Sequence, residues 1–143
     1  MTYIFLRESD SQDTLMFVCD QRDTAEFADW LMRRGSKIGE VTKLDSDNGF
    51  EPRNNVLAFL DVETDGAGLA SVTQSGNQTI VTWHISPNGC VEAAKAVGAL
   101  SSAATGVGHQ YLEQAGNVWI KVSMNEWKDS VWKENLRKAV GRE

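Results

Sequence analysis

Two carboxylates stand at alternate positions near the end of an apolar run, Asp61 and Glu63 in the segment FLDVETDG of residues 59–66. Successive residues of a β-strand point to opposite faces, so residues two apart share a face. Two carboxylates on one face can hold divalent metal ions that assist hydrolysis. The spacing therefore makes Asp61 and Glu63 candidates for metal-dependent chemistry.

The same run resembles the first motif of the DEDD-type 3′–5′ exonucleases, which implies a metal-dependent nuclease or phosphoesterase. That family has further carboxylates later in the chain, with a His or Tyr general base near the last one. Here only His84 and His109 follow the motif, and the residues five positions beyond them are Gly89 and Gln114. Because this pattern departs from that of the family, we assign no catalytic residue, metal ligand or cofactor, and the nuclease remains an alternative.

Aromatic and imidazole side chains indicate a second kind of site. The chain has five tryptophans in 143 residues, and an exposed tryptophan can stack on a ligand or anchor an interface. Trp83, His84, His109 and Trp119 are the candidates for a pocket that binds or sequesters a small, nucleotide-like ligand. A metal site built from the two histidines and Cys90 stays open, but it lacks the short ligand spacings typical of zinc sites.

The net charge of −6 is unevenly distributed. Residues 40–65 contain seven acids against two bases, a balance of −5. Such a stretch is either a solvated loop or a face that attracts a basic protein partner. The partner-binding candidates are Asp45, Asp47, Glu51, Asp61, Glu63 and Asp65. The chain has no basic stripe for phosphate contacts, so we expect no direct binding of nucleic acid.

Length and composition predict one domain over residues 1–143, since a chain of this size buries a substantial core. No apolar run approaches the roughly 20 residues that span a bilayer, and the first residues do not read as a signal peptide. Cys19 and Cys90 are most simply reduced. We therefore expect a cytoplasmic protein with no membrane partner.

Apolar periodicity predicts an α+β fold, with about seven or eight short strands in a mainly antiparallel sheet packed with three helices. Residues 3–7 with 14–19, and residues 109–114 with 118–122, are expected to form two hairpins. Residues 56–65, 69–73 and 79–85 are expected to form an antiparallel meander in which alternate residues of each strand lie on opposite faces. The predicted helix starts are Asp23, Ser86-Pro87 and Ser123, the first and last with a glutamate three residues later that completes a capping box.

From Asp23 onward, this order of elements is similar to that of the type III secretion chaperones, which are small, acidic and dimeric. The resemblance concerns topology alone and allows for a homodimer. The small size, the acidic composition and the incomplete catalytic sets predict a non-enzymatic protein that neutralises or holds a macromolecular partner. Toxin-immunity proteins, phage-encoded inhibitors of host defence and secretion chaperones are of this type.

Overall fold

The computed structural model describes residues 1–7, 13–114 and 116–126. These residues contain two α-helices and nine β-strands in two mixed sheets, so the predicted α+β class is confirmed. The prediction of a mainly antiparallel sheet is wrong, because both sheets contain parallel pairs. The body of the third predicted helix lies outside the described residues, and its predicted cap, Ser123, belongs to a strand.

The described elements have the following bounds in chain order: β1 (Thr2–Leu6), β2 (Asp13–Cys19), α1 (Gln21–Arg34), β3 (Val41–Lys43), β4 (Glu51–Pro52), β5 (Val56–Val62), β6 (Ala67–Ser75), β7 (Gln78–Ile85), α2 (Pro87–Ser101), β8 (Gly108–Glu113) and β9 (Val118–Met124). A 3₁₀ turn, Ser46–Asn48, separates β3 from β4.

Sheet A has the strand order β4-β1-β2-β9-β8, and sheet B has the order β3-β5-β7-β6. In sheet A, the hairpins β1–β2 and β8–β9 are antiparallel, as predicted. β2 and β9 pair in parallel over seven residues. This parallel pair joins the N-terminal hairpin to the β8–β9 hairpin within one sheet.

In sheet B, β7 lies between β5 and β6, parallel to β5 and antiparallel to β6. The predicted meander is therefore wrong in strand order. β5 has apolar residues on both faces up to Asp61, a pattern typical of a central strand. β6 is mostly exposed and polar in its second half, which suits an edge strand.

The helix ends follow from local capping. The side chain of Asp20, three residues before the predicted cap Asp23, accepts a hydrogen bond from the Asp23 N–H at 2.7 Å and starts α1. α2 begins as predicted, because the Ser86 hydroxyl accepts the Gly89 N–H at 2.9 Å and Pro87 needs no partner in the first turn. Neither of these two described helices is long and apolar enough to cross a membrane.

Both helices and the inner faces of both sheets share one core. Tyr3 connects the two sheets inside it, since its hydroxyl donates to the Leu44 carbonyl at 2.6 Å and accepts the Ala58 N–H at 3.0 Å. Burial raises the pKa of Tyr3 to about 12. On the opposite face of sheet A, Ile4 and Met16 form a second, smaller buried cluster.

Candidate functional site

The outer face of sheet B carries the carboxylates singled out by the sequence. Along β5 the residues Val56, Ala58, Leu60 and Val62 are buried, and the alternate residues are only partly buried. Asp61 is among the latter, as are His84 and its alternate neighbours on β7. The predicted alternation of both strands is confirmed, and it places Asp61 and His84 on the face turned away from the core.

Strand pairing brings three ionisable side chains together on this face. Asp61 is the register partner of His84 in the parallel β5–β7 pair. Glu63 follows β5 and stays beside β7, because its backbone N–H donates to the Ile85 carbonyl at 2.9 Å. The His84 Nδ1 atom lies 3.3 Å from Asp61 Oδ2 and 3.2 Å from Glu63 Oε1. Asp61 and Glu63 therefore do share a face and meet at one imidazole.

The second ring nitrogen of His84 is also occupied. The Ser71 hydroxyl, on the neighbouring strand β6, lies 3.0 Å from His84 Nε2. With both nitrogens engaged, the ring plane is fixed relative to the carboxylates. Depending on the tautomer of the ring, Nδ1 can donate a hydrogen bond to the carboxylates or contact a cation between them.

This cluster is accessible from solvent. The exposed fraction is 18% for the Asp61 side chain, 47% for Glu63 and 32% for His84. One donor atom from each residue lies within 4.8 Å of the other two. The arrangement can therefore take up a small cation without opening the core.

Trp83, predicted as a ligand-binding residue, is instead a core residue with 1% of its surface exposed. Its indole N–H donates to Glu113 Oε2 at 2.8 Å. Burial raises the pKa of Glu113, an effect that the hydrogen bond from Trp83 opposes. Glu113 also lines an open cleft of about 300 Å³ beside the start of α2, together with Tyr111.

Trp83 and His84 lie on opposite faces of β7, and His109 and Trp119 lie on sheet A, so the four predicted ligand-binding residues do not form one pocket. His109 Nδ1 is 3.0 Å from Glu126 Oε2, and the Ser123 hydroxyl donates to the other oxygen of Glu126 at 2.7 Å. Trp119 packs edge-to-face on Tyr111 with ring centroids 5.4 Å apart.

The two cysteines are free and buried. Burial, reinforced by the charge of Glu113, raises the pKa of Cys90 to about 11. Burial likewise raises the pKa of Cys19 to about 12. The position of Cys90 at the start of α2 therefore does not activate its thiol, and its burial in the core separates it from His84 and His109.

The six acidic candidates separate into two groups. Asp45 caps the 3₁₀ turn by accepting the Asp47 N–H, and Glu51 pairs with Arg53 at 2.9 Å. β3 runs antiparallel to β5 and pairs Val41 with Asp61, so the loop after β3 leads toward the opposite end of β5. Asp61 and Glu63, followed by the exposed Asp65, form the second group.

The sequence identified Asp61 and Glu63 as a pair but assigned His84 to a different site and did not identify Ser71. His84 and Ser71 lie close to the two carboxylates because of the strand order, which residue spacing along the chain does not indicate.

No protein-family model, curated protein or solved structure matches the chain.

Proposed function

We propose that this protein is a non-enzymatic binding protein that neutralises or holds a basic protein partner through the outer face of sheet B. The observation that carries the proposal is the apolar character of that face. Leu57, Phe59 and Ile80 occupy outer positions where a solvated sheet would have polar residues.

This face has no helix over it in the described part of the chain. The buried residues of α1 and α2 belong to the core on the inner side of sheet B. At the two edges of the face, Val41 on β3 is 57% exposed and Leu69 on β6 is 38% exposed. Exposed apolar area bordered by polar residues is characteristic of protein interaction sites.

The charge at one end of the face favours a basic partner. Asp61, Glu63 and Asp65 all lie at or just after the end of β5. Opposite charges on a partner would accelerate association and fix its orientation, whereas the apolar residues would supply most of the affinity. Together these features fit a basic protein surface better than an acidic or nucleic-acid surface.

The test uses the full chain as bait in a lysate of its source organism, followed by affinity measurement with the purified partner. The double variant Val41→Lys/Leu69→Lys removes apolar area and adds positive charge at both edges of the face. We expect at least a tenfold loss of affinity, equivalent to about 1.4 kcal/mol. The matched control is Val107→Lys, because Val107 is 49% exposed and lies outside sheet B.

Retained affinity in the double variant, with an unchanged melting temperature, would contradict the proposal. So would an equal loss in Val107→Lys. Analytical ultracentrifugation of the wild type provides a separate test. Self-association that the double variant abolishes would identify the occupant as a second copy of the chain and overturn the assignment of a basic partner.

A further inference from the structure

We infer that Asp61, Glu63 and His84 form a binding site for a divalent transition-metal ion of the size of Zn²⁺. The site contributes one imidazole nitrogen and two carboxylate oxygens from two adjacent strands. Imidazole favours zinc and similar transition metals, whereas Mg²⁺ and Ca²⁺ prefer all-oxygen sites. The mixed donor set therefore defines the class of ion.

The separation of the donor atoms fits such an ion. Zinc bonds nitrogen and carboxylate oxygen at about 2.0–2.2 Å, which places neighbouring ligands of a tetrahedral site about 3.3–3.6 Å apart. His84 Nδ1 lies 3.3 Å from Asp61 Oδ2 and 3.2 Å from Glu63 Oε1. The two carboxylate oxygens lie within 4.8 Å of each other, and rotation of the partly exposed Glu63 side chain can adjust that separation. Two of the three distances between donor atoms are therefore already close to those of a tetrahedral zinc site.

Ser71 supplies an outer contact of the kind that metal-binding histidines require. A histidine that binds metal through one ring nitrogen usually donates from the other, which fixes its tautomer and orientation. The Ser71 hydroxyl lies 3.0 Å from His84 Nε2 and can accept that hydrogen bond. Nδ1 is then free to bind the ion between the two carboxylates.

The site would leave at least one coordination position open. Its three donors come from β5, β7 and the residue that follows β5 by one position, and the Glu63 side chain is 47% exposed. Three protein ligands with a fourth position open to solvent are typical of zinc sites that bind an exchangeable water or an external ligand. The ion would therefore present a binding position on the outer face of sheet B.

The experiment titrates the chelator-treated full chain with Zn²⁺ by calorimetry and with Co²⁺ by visible absorption, which is intense for four-coordinate cobalt and weak for six-coordinate cobalt. We expect one ion per chain at this site. Asp61→Asn and His84→Asn should each lower the affinity on the order of 100-fold, and Ser71→Ala should lower it about tenfold. His109→Asn is the matched control, because His109 also pairs with a carboxylate but meets only one.

Binding that survives in both Asp61→Asn and His84→Asn would overturn the inference, as would an equal loss in His109→Asn or no binding by the wild type. Circular dichroism melts without metal show whether each variant remains folded. His84→Asn keeps both carboxylates and the apolar residues of the outer face, so it should still bind a basic partner even where it fails to bind Zn²⁺. The proposed metal site and the proposed partner surface can therefore be refuted independently of each other.

Discussion

Two histidines in this protein meet carboxylates, and the surroundings of the two pairs differ. His84 on sheet B has Asp61 and Glu63 at one nitrogen and the Ser71 hydroxyl at the other. His109 on sheet A has a single acid, Glu126. In the first case the contacts converge on the imidazole, and in the second they converge on the carboxylate.

The second arrangement has one acid for one histidine. Both oxygens of Glu126 are engaged, one by His109 and the other by Ser123. Partial burial by itself would raise the pKa of Glu126, but the hydrogen bonds from Ser123 and His109 outweigh it and the pKa is lowered. The His84 cluster has two acids for one base, so it retains negative charge that a cation can neutralise. Similar residue types thus support a hydrogen-bonded acid in one place and the proposed metal site in the other.

The largest expected effect concerns metal-linked stability. At a free Zn²⁺ concentration of 100 times Kd, binding to the folded state alone should raise the free energy of unfolding by about 2.7 kcal/mol. Differential scanning calorimetry with and without Zn²⁺ measures the change. His84→Asn should abolish it and His109→Asn should retain it. A Zn²⁺-dependent gain in stability that persists in His84→Asn would contradict the assignment of the metal site to the His84 cluster.

A smaller effect on stability is expected for the pair formed by His109 and Glu126. Glu126→Gln should lower the free energy of unfolding at neutral pH by about 1 kcal/mol, because two hydrogen bonds to a charged acceptor are weakened at a partly exposed site. Since the pKa of Glu126 is lowered, its contribution is present above the ordinary value of 4.5 and is lost as the pH falls through the folded-state value. Urea unfolding across this range provides the measurement.

The control for this variant is Glu92→Gln. Glu92 pairs with Lys95 at 3.4 Å, but both side chains are more than 60% exposed, so little change is expected. Equal losses in Glu92→Gln and Glu126→Gln would mean that the buried Ser123 contact adds nothing.

The smallest expected effect is a gain in the free energy of unfolding when Glu113 is replaced. Burial raises the pKa of Glu113, so its contribution to stability is present below pH 4.5 and is lost as the pH rises through the raised value. Glu113→Gln keeps an acceptor for the Trp83 N–H and removes the partly buried charge. Its free energy of unfolding at neutral pH should exceed that of the wild type by up to about 1 kcal/mol, and the difference should shrink below pH 4.5. A loss of stability at neutral pH would contradict this assignment.

Local structure was largely predictable from the sequence. The alternation along β5 and β7, the start of α2 at Ser86-Pro87 and the two hairpins of sheet A were all predicted. Each depends on residues close together in the chain. The cap of α1 is Asp20 and not the predicted Asp23. Both residues have side chains suited to capping, and the sequence pattern does not distinguish between them.

The arrangement of strands was not predictable in the same way. A meander would have placed β6 between β5 and β7, with Asp61 two strands away from His84. In the structure β7 lies beside β5 instead, and Asp61 is the register partner of His84. The choice of neighbour depends on how the whole core packs, since both orders preserve the same buried faces.

The sequence by itself determined that Asp61 and Glu63 share one face of a strand, because side chains alternate along any extended chain. It also determined that β5 is apolar on both faces up to Asp61. Only the tertiary structure brought His84 and Ser71 to those carboxylates and moved Trp83 into the core. These contacts join strands that are separated in the chain, and their geometry is set by long-range strand pairing that residue periodicity does not encode.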